Sequence, residues 1–227
     1  MENIFKFLKR ITLTNKIKRI NILELIFLIA LSFFIDILII ILIHLIEVPI
    51  PQGSGNNFNH YSSTWYLALI PIILVPILEE TGCRAFLKYS SINIYLSISL
   101  IIFFSISLFS GFKIYVFEWH VLWIAIVAFC IGLIPLYFLN NIPKKSILNF
   151  YNSRASILFY GSATVFALFH LSNYKFQVYG ILTALLFVLP QFISGIIYGY
   201  IRVKNGILVS IALHSFHNLF ILIMTSN

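Results

Sequence analysis

An all-α fold, a polytopic membrane helix bundle of about seven transmembrane helices (six to eight fit the pattern), is what this sequence predicts. Three observations predict it. Of the 227 residues, 60% are hydrophobic and only 10% charged, against about 25% charged in a soluble domain, and the mean hydropathy is +0.99. Apolar runs long enough to cross a bilayer lie at about 23–46, 64–88, 91–109, 118–140, 154–171, 177–201 and 206–225. With the N-terminus on the cytoplasmic side, the inner segments 1–20, 84–90, 141–154 and 202–205 hold 13 of the 15 Lys and Arg, and the outer side keeps only Lys113 and Lys175. Basic loops stay on the cytoplasmic side, so the same count places the C-terminus outside. The net charge of +8 reports these loops and calls for no nucleic acid.

Residues 1–20 form a basic cytoplasmic segment with Lys6, Lys9, Arg10, Lys16, Lys18 and Arg19, and 21–227 a single transmembrane domain. The apolar run after the basic segment exceeds the core of a signal peptide and shows no small-residue cleavage site, so it reads as an uncleaved first span. Glu47 to Ser63, with Pro49, Pro51, Gly53 and Gly55, reads as an exposed outer loop. The second span carries Pro71 and Pro76. Each removes a backbone N–H, so this helix is expected to loosen just ahead of Glu79 and Glu80. In the sixth span Gly195 and Gly199 make a small-xxx-small face suited to close packing. Trp65, Trp119 and Trp123 fall near outer span ends, as in an aromatic belt. His44, His60 and His120 are expected at the interfaces. Cys83 and Cys130 lie in apolar runs and offer no disulfide framework; apolar surroundings also disfavour a Cys83 thiolate nucleophile.

The remaining polar groups stand inside spans: Asp36, then Glu79, Glu80 and Arg84, then His170, then His214, His217 and Asn218. A charge at the centre of a membrane helix costs about 2.5–3.5 kcal/mol, so each needs a partner or a task. Glu80 and Arg84 share a helix face, as do His214 and Asn218. Two carboxylates, histidines and an amide can activate water, protonate a leaving amine, bind a divalent metal and stabilise an oxyanion. On spacing alone, three readings stay open: a catalytic site, a proton or ion pathway, and a structural polar core. The absence of an inverted repeat argues against a carrier.

The order Glu79-Glu80-x-x-x-Arg84, Phe166-x-x-x-His170, His214-x-x-x-Asn218 resembles the three motifs of the CPBP family. These intramembrane endopeptidases include the type II CAAX prenyl proteases and the bacterial Abi proteins. The stretch from Phe192 to Asn218 is also similar to the last two core helices of that family, and the likeness covers about 64–221. It implies a membrane endopeptidase that cleaves membrane-associated proteins or peptides through a glutamate-activated water, in a bacterial plasma (inner) membrane. By the same resemblance Glu79 leads as base with Glu80 beside it, His170 holds water or a metal, and His214 with Asn218 completes the site, Asn218 as oxyanion donor. Arg84 becomes a structural counter-charge and Phe166 a packing residue. His217 and Asp36 are candidates for support around the site, Asp36 as a partner of Arg84 or a wall of the cavity. Two cofactor readings stay open, zinc held by Glu79, His170 and His214 or a metal-free glutamate mechanism. The partners implied are the lipid bilayer and a peptide or protein substrate; oligomeric state leaves no mark on the sequence. The chain departs from the family in separating Glu80 from His170 by 90 positions, two spans more than the usual few tens of residues. The rival reading is a non-catalytic binding or bacteriocin-immunity protein that uses the same cavity.

Overall fold

Among the described residues, seven longer helical segments and two short ones, at the N-terminal end and over 144–153, form the bundle. The structure, a computed structural model, describes residues 4–13, 21–46, 68–110, 119–173 and 181–225. The expected outer loop over 47–63 with His60, the following Trp65, and the basic Lys16, Lys18 and Arg19 lie outside these. We label the helices α1 (Ile4–Lys9), α2 (Ile22–Leu45), α3 (Val75–Arg84), α4 (Ser91–Ser110), α5 (Trp119–Asn140), α6 (Lys144–Ser153), α7 (Ala155–Phe169), α8 (Ile181–Asn205) and α9 (Ile207–Thr225). Among the described residues four stretches are long and apolar enough to cross a membrane: Ile22–Leu45, Trp119–Asn140, Thr183–Asn205 and Ile207–Met224. Ser91–Ser107 and Ala155–Phe169 are shorter apolar helices. The chain is an all-helical, polytopic bundle.

Local chemistry sets the helix ends. Asn21 caps α2, its Oδ1 accepting from the backbone N–H of Leu23 at 3.0 Å and Glu24 at 3.5 Å. Gly206, at φ 102°, turns the chain between α8 and α9; only glycine adopts that conformation without strain. Before α3 the backbone forms a π-helical turn, Ile70–Leu74, in which the N–H of Val75 reaches back to the carbonyl of Ile70. In that wider register the carbonyl of Pro71 would pair with residue 76, and Pro76 has no N–H to give. The expected loosening ahead of the carboxylates therefore takes the form of this turn.

The packing centres on α8. It lies along α7, α9 and α2, while α4 and α5 form a hairpin joined to the rest through α3. The largest buried cluster joins Leu28, Leu87, Phe159, Phe166, Tyr198, Tyr200 and Ile201 with Ile4, Phe7 and Ile11. The N-terminal segment is thus more than a basic tail: its apolar side packs under the bundle, with Phe7 edge-on to Phe159 at 5.3 Å and to Tyr200 at 5.2 Å. Likewise the 141–154 connection contains α6, which buries Ile147 and Tyr151 one turn apart. Across α2, α8 and their interface with the basic end, Glu24 accepts from Lys204 at 2.6 Å and from Tyr200 at 2.5 Å.

Close helix approach is concentrated at glycines. A Cβ at Gly195 would meet the Ala163 backbone at 3.1 Å, whereas one at Gly161 would meet nothing within 4 Å. Gly195→Leu is therefore expected to destabilise the bundle by about 1–3 kcal/mol through overpacking, while Gly161→Ala stabilises it by about 0.5–1 kcal/mol through helix propensity. Thermal unfolding of the purified variants in one detergent checks both, and equal melting of the two would contradict the packing described.

Candidate active site

The site is built where α3, α7 and α9 meet against α8. Four carbonyls at the C-terminal end of α3 are bound by side chains from other helices. Ser97 of α4 donates to the carbonyl of Thr81 at 2.9 Å, and Ser162 of α7 to that of Cys83 at 2.7 Å. Arg202 of α8 donates to the carbonyls of Arg84 at 3.2 Å and Ala85 at 2.9 Å. A helix end otherwise leaves these acceptors unpaired in a medium without water. The helix carrying both glutamates is thereby held from three sides. Lys88, just beyond it, has its pKa held below the ordinary lysine value by burial and then by the Arg202 charge.

Glu80 is fully buried. Its carboxylate accepts from Arg84 and from Nδ1 of His214 at 3.0 Å on Oε1, and from the Ser210 hydroxyl at 2.5 Å on Oε2. Arg84 is equally buried; its guanidinium lies over the Phe166 ring at 4.1 Å and near the Tyr198 ring at 5.3 Å. Its Nε and Nη2 have no hydrogen-bond partner, so aromatic faces supply that side of the cation with its stabilisation. Glu79 differs from its neighbour. Its side chain keeps 17% exposure, and its contact in the site is Oε2 to Nε2 of His214, at 3.5 Å. One imidazole thus stands between the two carboxylates, Nδ1 toward Glu80 and Nε2 toward Glu79. Tyr198 stacks on that ring at 4.8 Å and 20°, and Phe166 meets it edge-on at 5.6 Å.

His170 caps α7. Its Nδ1 donates to the carbonyl of Phe166 at 2.9 Å, and its ring lies 4.6 Å from the Phe166 ring. Phe166, expected only to pack, touches Arg84, His170 and His214 at once. Asn218 donates from Nδ2 to the carbonyl of Pro71 at 2.8 Å, the acceptor that Pro76 leaves without a backbone partner. Asp36 was expected to wall the cavity or to pair with Arg84. It faces His217, Oδ2 to Nε2 at 3.2 Å, and not Arg84, which is turned into its own helix face toward Glu80. The set named for zinc does not gather: among the described residues no three His, Cys, Asp or Glu side chains stand together as metal ligands, and His170 meets the others through the Phe166 ring. A cavity of about 160 Å³ beside α3 is apolar, lined by Cys83, Ile101 and Val165 among others, and includes neither glutamate.

Sequence reasoning missed Ser210, Tyr198, Ser162 and Arg202. Ser210 was legible in principle, since Ser210, His214 and Asn218 continue one stripe at four-residue spacing. The other three act through backbone carbonyls or ring faces, which leave no spacing signal.

A buried carboxylate and guanidinium joined to His214, with a second, partly exposed carboxylate facing the same imidazole, stand inside a bundle of apolar helices. The chain belongs to the Rce1-like family, type II CAAX prenyl endopeptidases, whose family model matches residues 61–220. Membership sets its activity class as CAAX-type intramembrane proteolysis. No curated protein and no solved structure matches the chain.

The two glutamates should separate by stability. Glu80→Ala strands the buried Arg84 charge and is expected to cost about 3–5 kcal/mol. Glu79→Gln, at a position that keeps some exposure, should stay within about 1 kcal/mol of the parent. Chemical unfolding in mixed micelles measures both; an indifferent Glu80→Ala would overturn the counter-charge geometry.

Proposed function

We propose that the chain hydrolyses a peptide bond of a membrane-associated protein or peptide, with Glu79 as the base that activates water. The observation that carries this is the unequal state of the two adjacent carboxylates. Glu80 spends both oxygens on Arg84, Ser210 and His214, whereas Glu79 keeps exposure and faces a single ring nitrogen. A carboxylate already saturated with donors is a poor proton acceptor; the less engaged one is the better base.

In this reading water is deprotonated by Glu79 as its oxygen attacks the scissile carbonyl carbon. The proton taken up by Glu79 then passes to the amide nitrogen as the carbon–nitrogen bond breaks, giving an amine and a carboxylic acid. Glu80 holds Nδ1–H of His214, which leaves Nε2 directed at Glu79 and able to steady the attacking water. The bond from His170 Nδ1 to the Phe166 carbonyl leaves its Nε2 as an acceptor for the same purpose. Asn218 has one amide N–H on Pro71 and a second for the developing oxyanion. Arg84 keeps Glu80 ionised and takes no part in the bond changes. The donor arrangement favours a route through the carboxylate over one through zinc. The distribution of Lys and Arg supports a cytoplasmic N-terminus and an outer C-terminus as part of the same proposal, and 21–227 as one transmembrane domain.

The test uses purified parent and Glu79→Gln in lipid nanodiscs with a fluorogenic peptide ending in a prenylated CAAX sequence. Glu79→Gln is expected to lower kcat by about 100- to 10,000-fold with the fold retained, and chelator treatment to leave the parent rate unchanged. Full activity in Glu79→Gln sinks the base assignment. Loss on chelation with recovery on adding zinc replaces the metal-free route.

A further inference from the structure

α2 lies outside the family-matched residues 61–220, yet it sends a polar group into the helix that carries His214 and Asn218. His217 of α9 is held by α2 on both ring nitrogens and one face. Its Nδ1 is 3.2 Å from the Ser32 hydroxyl, its Nε2 is 3.2 Å from Asp36 Oδ2, and the Phe33 ring stacks on it at 4.6 Å and 27°. Ser32 and Asp36 are one turn apart on the same stripe of α2, and both His217 and Ser32 are buried. The Phe33 ring also lies 4.3 Å from that of Phe220. α2 itself packs chiefly on α8, so these side chains form its link to α9.

A carboxylate in mid-span is costly to keep and marks function by default. Anchoring α2 to the bundle would not need one: Leu28, Ile39 and Ile43 already bury its apolar stripe. What Asp36 adds is direction. His217 sits three residues after His214 and one before Asn218 on a single helix, so a ring that cannot turn fixes how far α9 can roll. A side chain rides about 5–6 Å from a helix axis, and a roll of about 10° would shift it by about 1 Å. A misplacement of that size can lower a rate about 100-fold. His214 must keep Nε2 on Glu79 while Nδ1 stays on Glu80, and Asn218 must stay on Pro71. Each contact fails with such a roll.

We propose that Asp36 and His217 form a positioning pair that sets the roll of α9, and so places His214 between the two glutamates. Its effect on turnover rests on the proteolytic reading above; its effect on α9 does not. The experiment compares parent, Asp36→Asn, Asp36→Glu, His217→Gln and the Asp36→Asn/His217→Gln double variant in nanodiscs. Hydrolysis of the prenylated peptide is measured beside hydrogen exchange of the 207–225 amides. Asp36→Asn should lower kcat about 10- to 100-fold with KM within about twofold, and speed exchange in α9. Asp36→Glu should recover most of the rate, and the double variant should be no slower than His217→Gln alone. The proposal is overturned if Asp36→Asn keeps the parent kcat, if the two losses multiply, or if kcat falls while α9 exchange is unchanged. If the parent cleaves no peptide, the proteolytic reading fails by itself, and equal exchange in parent and Asp36→Asn then overturns the positioning pair. Asp36→Leu, which removes the charge from the bilayer, serves should Asp36→Asn not fold.

Discussion

The rest of this structure depends on the burial of the Glu80 carboxylate against Arg84 in an apolar bundle. Neither ion tolerates such surroundings alone, and their mutual attraction offsets desolvation only if the remaining lone pairs and protons are also met. Ser210 and His214 meet them on the carboxylate side, and the rings of Phe166 and Tyr198 on the guanidinium side. Because these groups come from α7, α8 and α9, satisfying one ion pair fixes the relative placement of the helices around α3. The histidine that completes the pair is also the one that faces Glu79. Charge burial and site assembly are therefore one structural event.

The same economy governs the backbone. α3 is short, with a π-helical turn at one end and a 3₁₀ turn, Ala85–Leu87, at the other. Both irregular ends free carbonyls that lipid cannot hydrate. Ser97, Ser162 and Arg202 take those at the C-terminal end, and Asn218 takes Pro71 at the other. An ordinary uninterrupted span would have needed none of these side chains. The interruptions let neighbouring helices grip α3 by its main chain, a more exact hold than apolar packing provides.

Much of this was legible in the sequence because it rests on rules of spacing. Where both are described, the ends of the seven apolar segments fall within about four residues of those hydropathy gave, the expected starts at 64 and 177 lying outside the described residues, and the prolines foretold an irregularity ahead of Glu79. Helical spacing placed Glu80 beside Arg84. Three things were not legible. Asp36 could not be matched with His217, since pairing across 181 positions is set by tertiary packing. The division between Glu79 and Glu80 depends on which helix face meets Ser210. And α1 and α6 hid among polar residues, because a helix of 6 or 10 residues with two buried side chains carries too little periodic signal to stand out from a charged loop.

The docking of α1 bears on how the chain is made. Phe7 leaves the ribosome 152 positions ahead of Phe159 and 193 positions ahead of Tyr200, the two rings it packs against. Contacts of such long sequence separation form late, since their loop-closure entropy must be offset all at once. Until α8 arrives, the edge of Phe7 that meets Tyr200 has no ring to cover it. Closure of α1 on Tyr200 therefore waits for α8, and it ties together two helices far apart in the chain.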